Sequence, residues 1–257
     1  MMNGINTIFR LACNDIKSKY ANSILGILWA FVMPLITILV FWYVFQVGLK
    51  NLPVADVPYI LWFTVAYIPW IFFVDIVVSG SNSLVEYSFL VKKIKFEVEL
   101  IPIVKLCSAF LVHLCFDLFL CVMYGYFGYE FKIYNLQIIY YTIAAGIYGL
   151  GLSYFLSAVV VFFKDMVSIV NICVQIGFWI TPILWDANNL VEDTVKRIVR
   201  LNPMYYVVEG YRECFLYDRW FWEDISYTLY FWGITIFILI FSRIIYKRLS
   251  PFFADEV

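Results

Sequence analysis

Apolar positions in this chain fall in long unbroken runs. Residues 21–49 carry no charge over 29 positions, and further stretches come close to matching them. A helix rises about 1.5 Å per residue, so some ~20 apolar residues cross a hydrocarbon layer of ~30 Å. The runs predict an all-α integral membrane protein with six transmembrane helices, at 27–49, 59–79, 100–124, 136–163, 167–185 and 227–246. Ahead of the first span, Ile5, Ile8, Phe9, Ala12, Cys13, Ile16 and Tyr20 keep helical spacing, with Asn6, Arg10, Asn14, Asp15 and Lys17 on the opposite face. That pattern predicts an amphipathic interface helix over 4–20. Leu25-Gly26 reads as the turn into the first span, because glycine tolerates the backbone angles a tight turn needs.

An even number of spans puts both termini on one side, and basic residues choose it. With the N-terminus inside, the inner segments hold Arg10, Lys17, Lys19, Lys92, Lys93, Lys95, Lys164, Arg243, Lys247 and Arg248, whereas the two short outer loops hold only Lys50 and Lys132. The predicted topology is N-in, C-in. Two regions outside the spans are dense in charge: the inner loop 86–99, and the outer segment 186–224 with 13 charges in 39 residues. In the outer segment, Val191, Val195, Ile198 and Val199 suit one short helix and Met204, Val207, Val208, Tyr211 and Phe215 another, after a break at Asn202-Pro203. Such a helix pair forms a lid, or re-enters the membrane where protein shields its backbone.

Composition agrees with a bilayer setting: 64% of residues are hydrophobic, 21% aromatic and 14% charged, against about 25% charged in soluble domains. A net charge of −1 gives no reason to expect a nucleic-acid partner. The six cysteines form no C-x-x-C pair, and five fall in membrane or inner segments, which argues against a disulfide framework. The first apolar run is too long for a signal-peptide core and lacks a small-residue cleavage site. Nucleotide-binding, zinc-hydrolase and nucleophile-elbow motifs are all missing from the sequence, and a single histidine, His113, leaves little for a metal site. The chain reads as a non-enzyme with no metal and no cofactor of its own.

Ionisable residues inside spans cost roughly 3 kcal/mol each at the bilayer centre. Asp75 and Lys105 lie at matching depths near the inner ends of the second and third spans, so they are expected to pair or to snorkel to the same interface. His113 and Asp117, four apart on the third span, share a face. A contact that locks helices is favoured for them over a proton relay. Ala145, Gly149, Ser153 and Ser157 recur every four residues along the fourth span, a small-residue ridge suited to a dimer seam or to packing within one subunit. Aromatic rings at Trp29, Phe41, Phe45, Phe178 and Trp179 sit within spans and are candidates to line a path.

Six segments together resemble a known family. They are Asp15-Ile-Lys-Ser-Lys-Tyr; Leu25-Gly-Ile-Leu-Trp-Ala-Phe with Pro34; Asn82-Ser-Leu-Val-Glu leading to Leu90-Val-Lys-Lys-Ile-Lys-Phe with Pro102; Phe163-Lys-Asp-Met; Trp179-Ile-Thr-Pro; and Leu201-Asn-Pro-Met-Tyr. In order and spacing they are similar to the permease subunits of ABC-2 type exporters for lipid-linked polysaccharides: O-antigen, capsule and teichoic acid. The resemblance implies a single ABC-2 transmembrane domain over 1–257. It implies a homodimer in the bacterial inner (plasma) membrane, driven by two separate ATPase subunits that hold ATP and Mg. The substrate would be a polyprenyl-linked glycan. It places ATPase coupling at Glu86, Leu90, Lys92, Lys93 and Lys95, head-group access at Arg10, Lys17, Lys19, Leu25 and Gly26, a channel along the first and fifth spans, and an outer gate at Asn202, Pro203, Tyr205, Glu209 and Arg212. The sequence departs from the family pattern at Phe96-Glu97-Val98-Glu99, where a Pro-Arg-Glu-like turn is common.

Two other readings fit the residues. One is an ABC-2 exporter of a drug or simple lipid. The other is a proton-coupled secondary transporter using Asp75, His113 and Asp117, although no internal repeat of the kind such transporters often carry is visible.

Overall fold

The computed structural model describes residues 4–21, 23–49, 57–92, 97–187 and 192–257. Lys50, Lys93, Lys95, Phe96 and Val191 lie outside these, as do the side chains of Ile5 and Asp193. Among the described residues the chain is helical and forms no β-strand. Five helical stretches among the described residues are long and apolar enough to cross a membrane: Gly26–Gly48, Tyr59–Ser81, Leu100–Tyr126, Ile133–Phe162 and Ile225–Glu256.

The helices are α1 (Gly4–Lys19), α2 (Trp29–Trp42, continued as a π-helix over Tyr43–Gly48), α3 (Tyr59–Ser81), α4 (Ser83–Glu86), α5 (Ser88–Val91) and α6 (Leu100–Tyr126). They continue with α7 (Gln137–Phe162), α8 (Met166–Ile180), α9 (Asp193–Arg200), α10 (Pro203–Arg212), α11 (Ile225–Leu249) and α12 (Phe253–Glu256). Between α1 and α2 the chain turns at Gly26, whose φ of +53° is the left-handed conformation expected of it.

The centre of the bundle is α3, which packs against α2, α6, α7, α8 and α10, most extensively against α7. Its Leu61, Trp62, Phe63, Val65, Ala66, Ile68 and Ile76 are sealed from outside. The small-residue ridge of α7 serves this internal contact: Ala145, Ser153 and Ser157 are fully buried, and Ser153 Oγ donates to Ile76 O on α3 at 2.8 Å. Small side chains let the two backbones approach closely.

Helix α8 ends at Ile180, five residues before the predicted end of the fifth span at 185. The cause is local. Thr181 precedes Pro182 and takes the extended conformation (ψ 132°) that a residue before proline prefers. With 15 residues, α8 is shorter than a standard spanning helix. The chain beyond it continues to Leu184, whose carbonyl accepts from Tyr59 Oη at the start of α3, 3.1 Å away.

Helix α1 lies against the start of α6, with Ser108 Oγ donating to Ala12 O at 3.1 Å. Its contact strip runs through Ala12 and Asp15, both buried. The periodicity placed Asp15 on the polar face, and the structure buries it instead; Phe9, on the apolar face, is 56% exposed. An ion pair to α6 draws Asp15 inward. Phe9 is left pointing out, as suits a helix with one side on protein and another available to lipid.

Candidate functional site

Three regions of the bundle carry the residues singled out from the sequence. The first is at the end holding both termini. Lys105 of α6 is buried and pairs with Asp15 of α1 at 2.6 Å and with Glu86 of α4 at 2.5 Å. Tyr87 Oη also donates to Asp15 at 2.8 Å, and its ring lies 5.2 Å from the Lys105 ammonium. Asp75 of α3 is bound by Lys19 of α1. Asp75 and Lys105 therefore do not pair with each other: the rotation of α3 and α6 aims Asp75 at Lys19 of α1 and Lys105 at Asp15 of α1 and Glu86 of α4. Burial opposes the Lys19 charge, but the Asp75 carboxylate outweighs it and raises the Lys19 pKa above the ordinary lysine range.

Of the residues assigned to ATPase coupling, Glu86 ends α4 and Leu90 lies on α5. Leu90 is buried and Lys92 exposed; Lys93 and Lys95 fall outside the described residues. Of those assigned to the head group, Arg10 and Lys17 are exposed and unpaired among the described residues, Lys19 is engaged by Asp75, and Leu25 and Gly26 form the turn into α2. A cavity of about 550 Å³ opens beside them, with Asp15, Lys19 and Asp75 among its lining and Trp29, Met33 and Phe72 as apolar walls.

The second region is aromatic. Phe41 and Phe45 of the first span, Tyr59, Phe63, Tyr67 and Trp70 of α3, and Phe178 of α8 form a continuous chain of ring contacts. Phe41 lies 5.3 Å from Phe63 and 5.8 Å from Phe178, Phe45 lies 5.4 Å from Tyr59, and Phe178 lies 6.2 Å from both Tyr67 and Trp70. Trp179 extends the chain outward at 5.7 Å from Phe178. Trp29 does not join it and faces the cavity near α1. The structure therefore gathers four of the five nominated aromatics.

The third region is at the opposite end. Asn202 caps α10, accepting from Met204 N at 3.0 Å, and Pro203 occupies the first turn, where its missing N–H costs nothing. The break between two short helices falls where the sequence put it. Helix α10 is largely buried between α3, α7 and α11. Its Gly210 lies so close to the Tyr141 ring that any side chain would collide with it. Arg212, assigned to the outer gate by the resemblance, is 1% exposed. It donates to Pro182 O at 2.7 Å and Ile183 O at 3.1 Å, lies 3.5 Å over the Trp62 ring and pairs with Glu209 at 3.2 Å. Tyr205 is buried and Glu209 half-buried.

From α10, Tyr211 reaches the midpoint of α6. Its hydroxyl lies 3.0 Å from His113 Nε2 and 2.6 Å from Thr142 Oγ1 of α7, and Asp117 stands 3.2 Å from the same histidine nitrogen. His113 and Asp117 thus share one face and join α6, α7 and α10. The sequence reading missed Tyr211 as their partner and Lys105 as the hub of the other end. A charge inside a span was the only local signal for either.

Next to Arg212, burial raises the Glu213 carboxyl and the Glu209 charge raises it further; Arg219 and the Tyr141 hydroxyl oppose, leaving it pushed up to about 7. A carboxyl held above its unfolded value of 4.5 supports the fold fully below that pH and loses its contribution as pH rises through about 7. The apparent melting temperature is expected to fall across that window, and Glu213→Gln to flatten the slope. A wild-type profile retained in the variant would show that another group titrates.

Membrane-length helices enclosing a short inserted helix make this a multi-pass integral membrane protein. Residues 6–216 match the ABC-2 type transporter family, and the chain belongs to it. It is 26% identical over 219 residues to the O-antigen export system permease protein RfbA of Myxococcus xanthus, covering 82% of this chain and 81% of that one. A protein of the same description from Klebsiella pneumoniae is 26% identical over 241 residues, 91% of this chain and 90% of its own. The chain is accordingly an ABC-2 permease, multi-pass in the bacterial inner membrane.

Proposed function

We propose that this chain is the permease subunit of an ATP-driven exporter that moves a lipid-linked polysaccharide of O-antigen type out of the cytoplasm. The likeness to O-antigen export permeases over about nine-tenths of the chain carries the reading. In the working assembly two copies pair and two ATPase subunits bind on the cytoplasmic side. Helix α2 buries only Ala30 and Ile38 among its described residues, so its apolar face suits lipid or a second copy.

The proposed topology has six crossings, the fifth made by α8 and the turn that follows it. N-in, C-in follows from the basic residues of the terminal end. Helices α4 and α5, with the 86–99 loop, receive the ATPase. Arg10 and Lys17 attract the anionic head group, while Lys19 is held in reserve by Asp75. The glycan slides along the aromatic chain from Phe41 to Trp179, where flat apolar faces give contact without deep wells. Helix α10 serves as the gate opposite.

Coexpression with an ATPase and glycosyltransferases, followed by reconstitution in liposomes, tests this. Transport of polyprenyl-linked glycan should require ATP. Transport by the chain alone, or driven by a proton gradient, would overturn the reading; ATP-driven efflux of a small lipid or drug in place of glycan would favour the narrower exporter. Charge reversal of Lys92 and Lys93 is expected to weaken ATP-driven export at least about tenfold while membrane insertion is retained. Unchanged export in that double variant would remove the docking role from this loop.

A further inference from the structure

At the end of the bundle opposite the termini, α9, α10 and the start of α11 surround a second cavity, of about 430 Å³. That volume lies in the range of small-molecule sites, roughly 300–1,000 Å³. We propose that it is a saccharide-binding pocket for a short segment of glycan. This deepens the exporter reading and rests on it for its biological role.

The lining has two kinds of chemistry. Tyr205, Tyr206 and Tyr227 form an aromatic wall, with Tyr227 5.8 Å from Tyr205 and 5.5 Å from Tyr206. Facing groups include Glu209 and Glu213, each anchored through one oxygen only. Glu209 Oε2 holds Arg212 at 3.2 Å, and Glu213 Oε2 accepts from Tyr141 Oη at 3.4 Å. The Oε1 atoms of both have no hydrogen-bond partner among the described residues. Arg200 adds a donor at the rim, 3.3 Å from Asp224 and 5.5 Å over the Tyr227 ring.

A sugar ring matches this pairing. Its C–H face packs on a tyrosine, its hydroxyls donate to the Glu209 carboxylate in a charge-assisted bond and exchange hydrogen bonds with Glu213 in either protonation state, and its oxygens accept from arginine. Other ligand classes fit worse. Three carboxyl groups, Glu209, Glu213 and Asp224, outnumber the two guanidiniums of Arg200 and Arg219 in the lining and disfavour a phosphate. An apolar molecule would leave the two glutamates buried and unpaired. Among the described residues no group of three His, Cys, Asp or Glu is placed to hold a metal ion. The wall is also preorganised. Tyr205 and Tyr206 are buried on α10, which Arg212 fixes to the 181–184 turn, so little ordering is left for binding to complete. A pocket here would hold glycan that has already crossed and oppose its return.

The test uses the full chain in lipid nanodiscs and di- to tetrasaccharides made by partial hydrolysis of the host's own surface polysaccharide. Saturation-transfer NMR should label the ring protons of these fragments. Tyr205→Ala should abolish the transfer, and the isosteric Glu209→Gln, Glu213→Gln pair should weaken binding at least about tenfold with the melting profile showing a folded protein. No transfer to any fragment with wild-type chain, or equal binding by the folded Glu→Gln pair, would overturn the pocket. Deleting the gene separates this from the exporter reading. Surface polysaccharide lost on deletion with no fragment binding refutes the pocket alone; fragments bound while polysaccharide persists supports the pocket and refutes the exporter.

Discussion

Replacing Lys105 by methionine is expected to cost about 3–5 kcal/mol, the range for removing one member of a buried ion pair. Lys105 is 3% exposed and holds two carboxylates from different helices, Asp15 of α1 and Glu86 of α4. Without it, Asp15 stays buried with only the Tyr87 hydroxyl as donor, and the charge must find water or a proton. The least costly escape is for α1 to lift from α6, which also exposes Ala12 and frees Lys19 from its position beside Asp75. Intrinsic fluorescence during heating in detergent reads the loss, and limited proteolysis near α1 reads the detachment. Adding Asp15→Asn to the methionine variant should recover much of the stability, because the one carboxylate then left without its cation, Glu86, is 44% exposed and open to water. A single variant that melts like the wild type would show that the cluster contributes no cohesion.

Arg212→Ala is the second large effect, also about 3–5 kcal/mol. Two backbone carbonyls, of Pro182 and Ile183, lose their donor, at about 1–3 kcal/mol each. Stacking on Trp62 is lost as well, worth up to about 2 kcal/mol when desolvated. The affected residues follow Thr181, where α8 is forced to stop, so no helical hydrogen bond replaces what the guanidinium supplied. Arg212→Lys should fall between the two, since an ammonium keeps the charge but not the planar fork that reaches both carbonyls. Export should fall with stability in the order wild type, lysine, alanine. If the lysine variant behaves as wild type, charge alone matters and the bridging geometry does not.

Much of the architecture was legible because a bilayer leaves little choice. Backbone polar groups must be satisfied within each segment, so long apolar runs can only be helices. The predicted start of α3 and of α6 matches the structure, and the ends differ by two residues. Asn202-Pro203 announced α10 because a capping side chain followed by proline has a local meaning. The Thr181-Pro182 stop had the same kind of local signal and was overridden by hydropathy. What the sequence did not reveal is rotational. Two charges at one depth look like partners until the helices are turned about their axes, and Asp75 and Lys105 each found α1 instead. The partners of Arg212 were hidden for a related reason: the carbonyls it serves belong to a turn almost thirty residues earlier, which no local pattern around α10 could point to.

The brevity of α8 bears on the membrane itself. Fifteen residues rise about 22 Å, some 8 Å less than an average hydrocarbon layer. Where hydrophobic lengths disagree, lipids near the protein thin or the protein tilts, at a fraction of a kcal/mol per Å. Acyl-chain length is thereby expected to act on this permease: melting in short-chain bilayers should exceed that in long-chain ones if α8 meets the lipid.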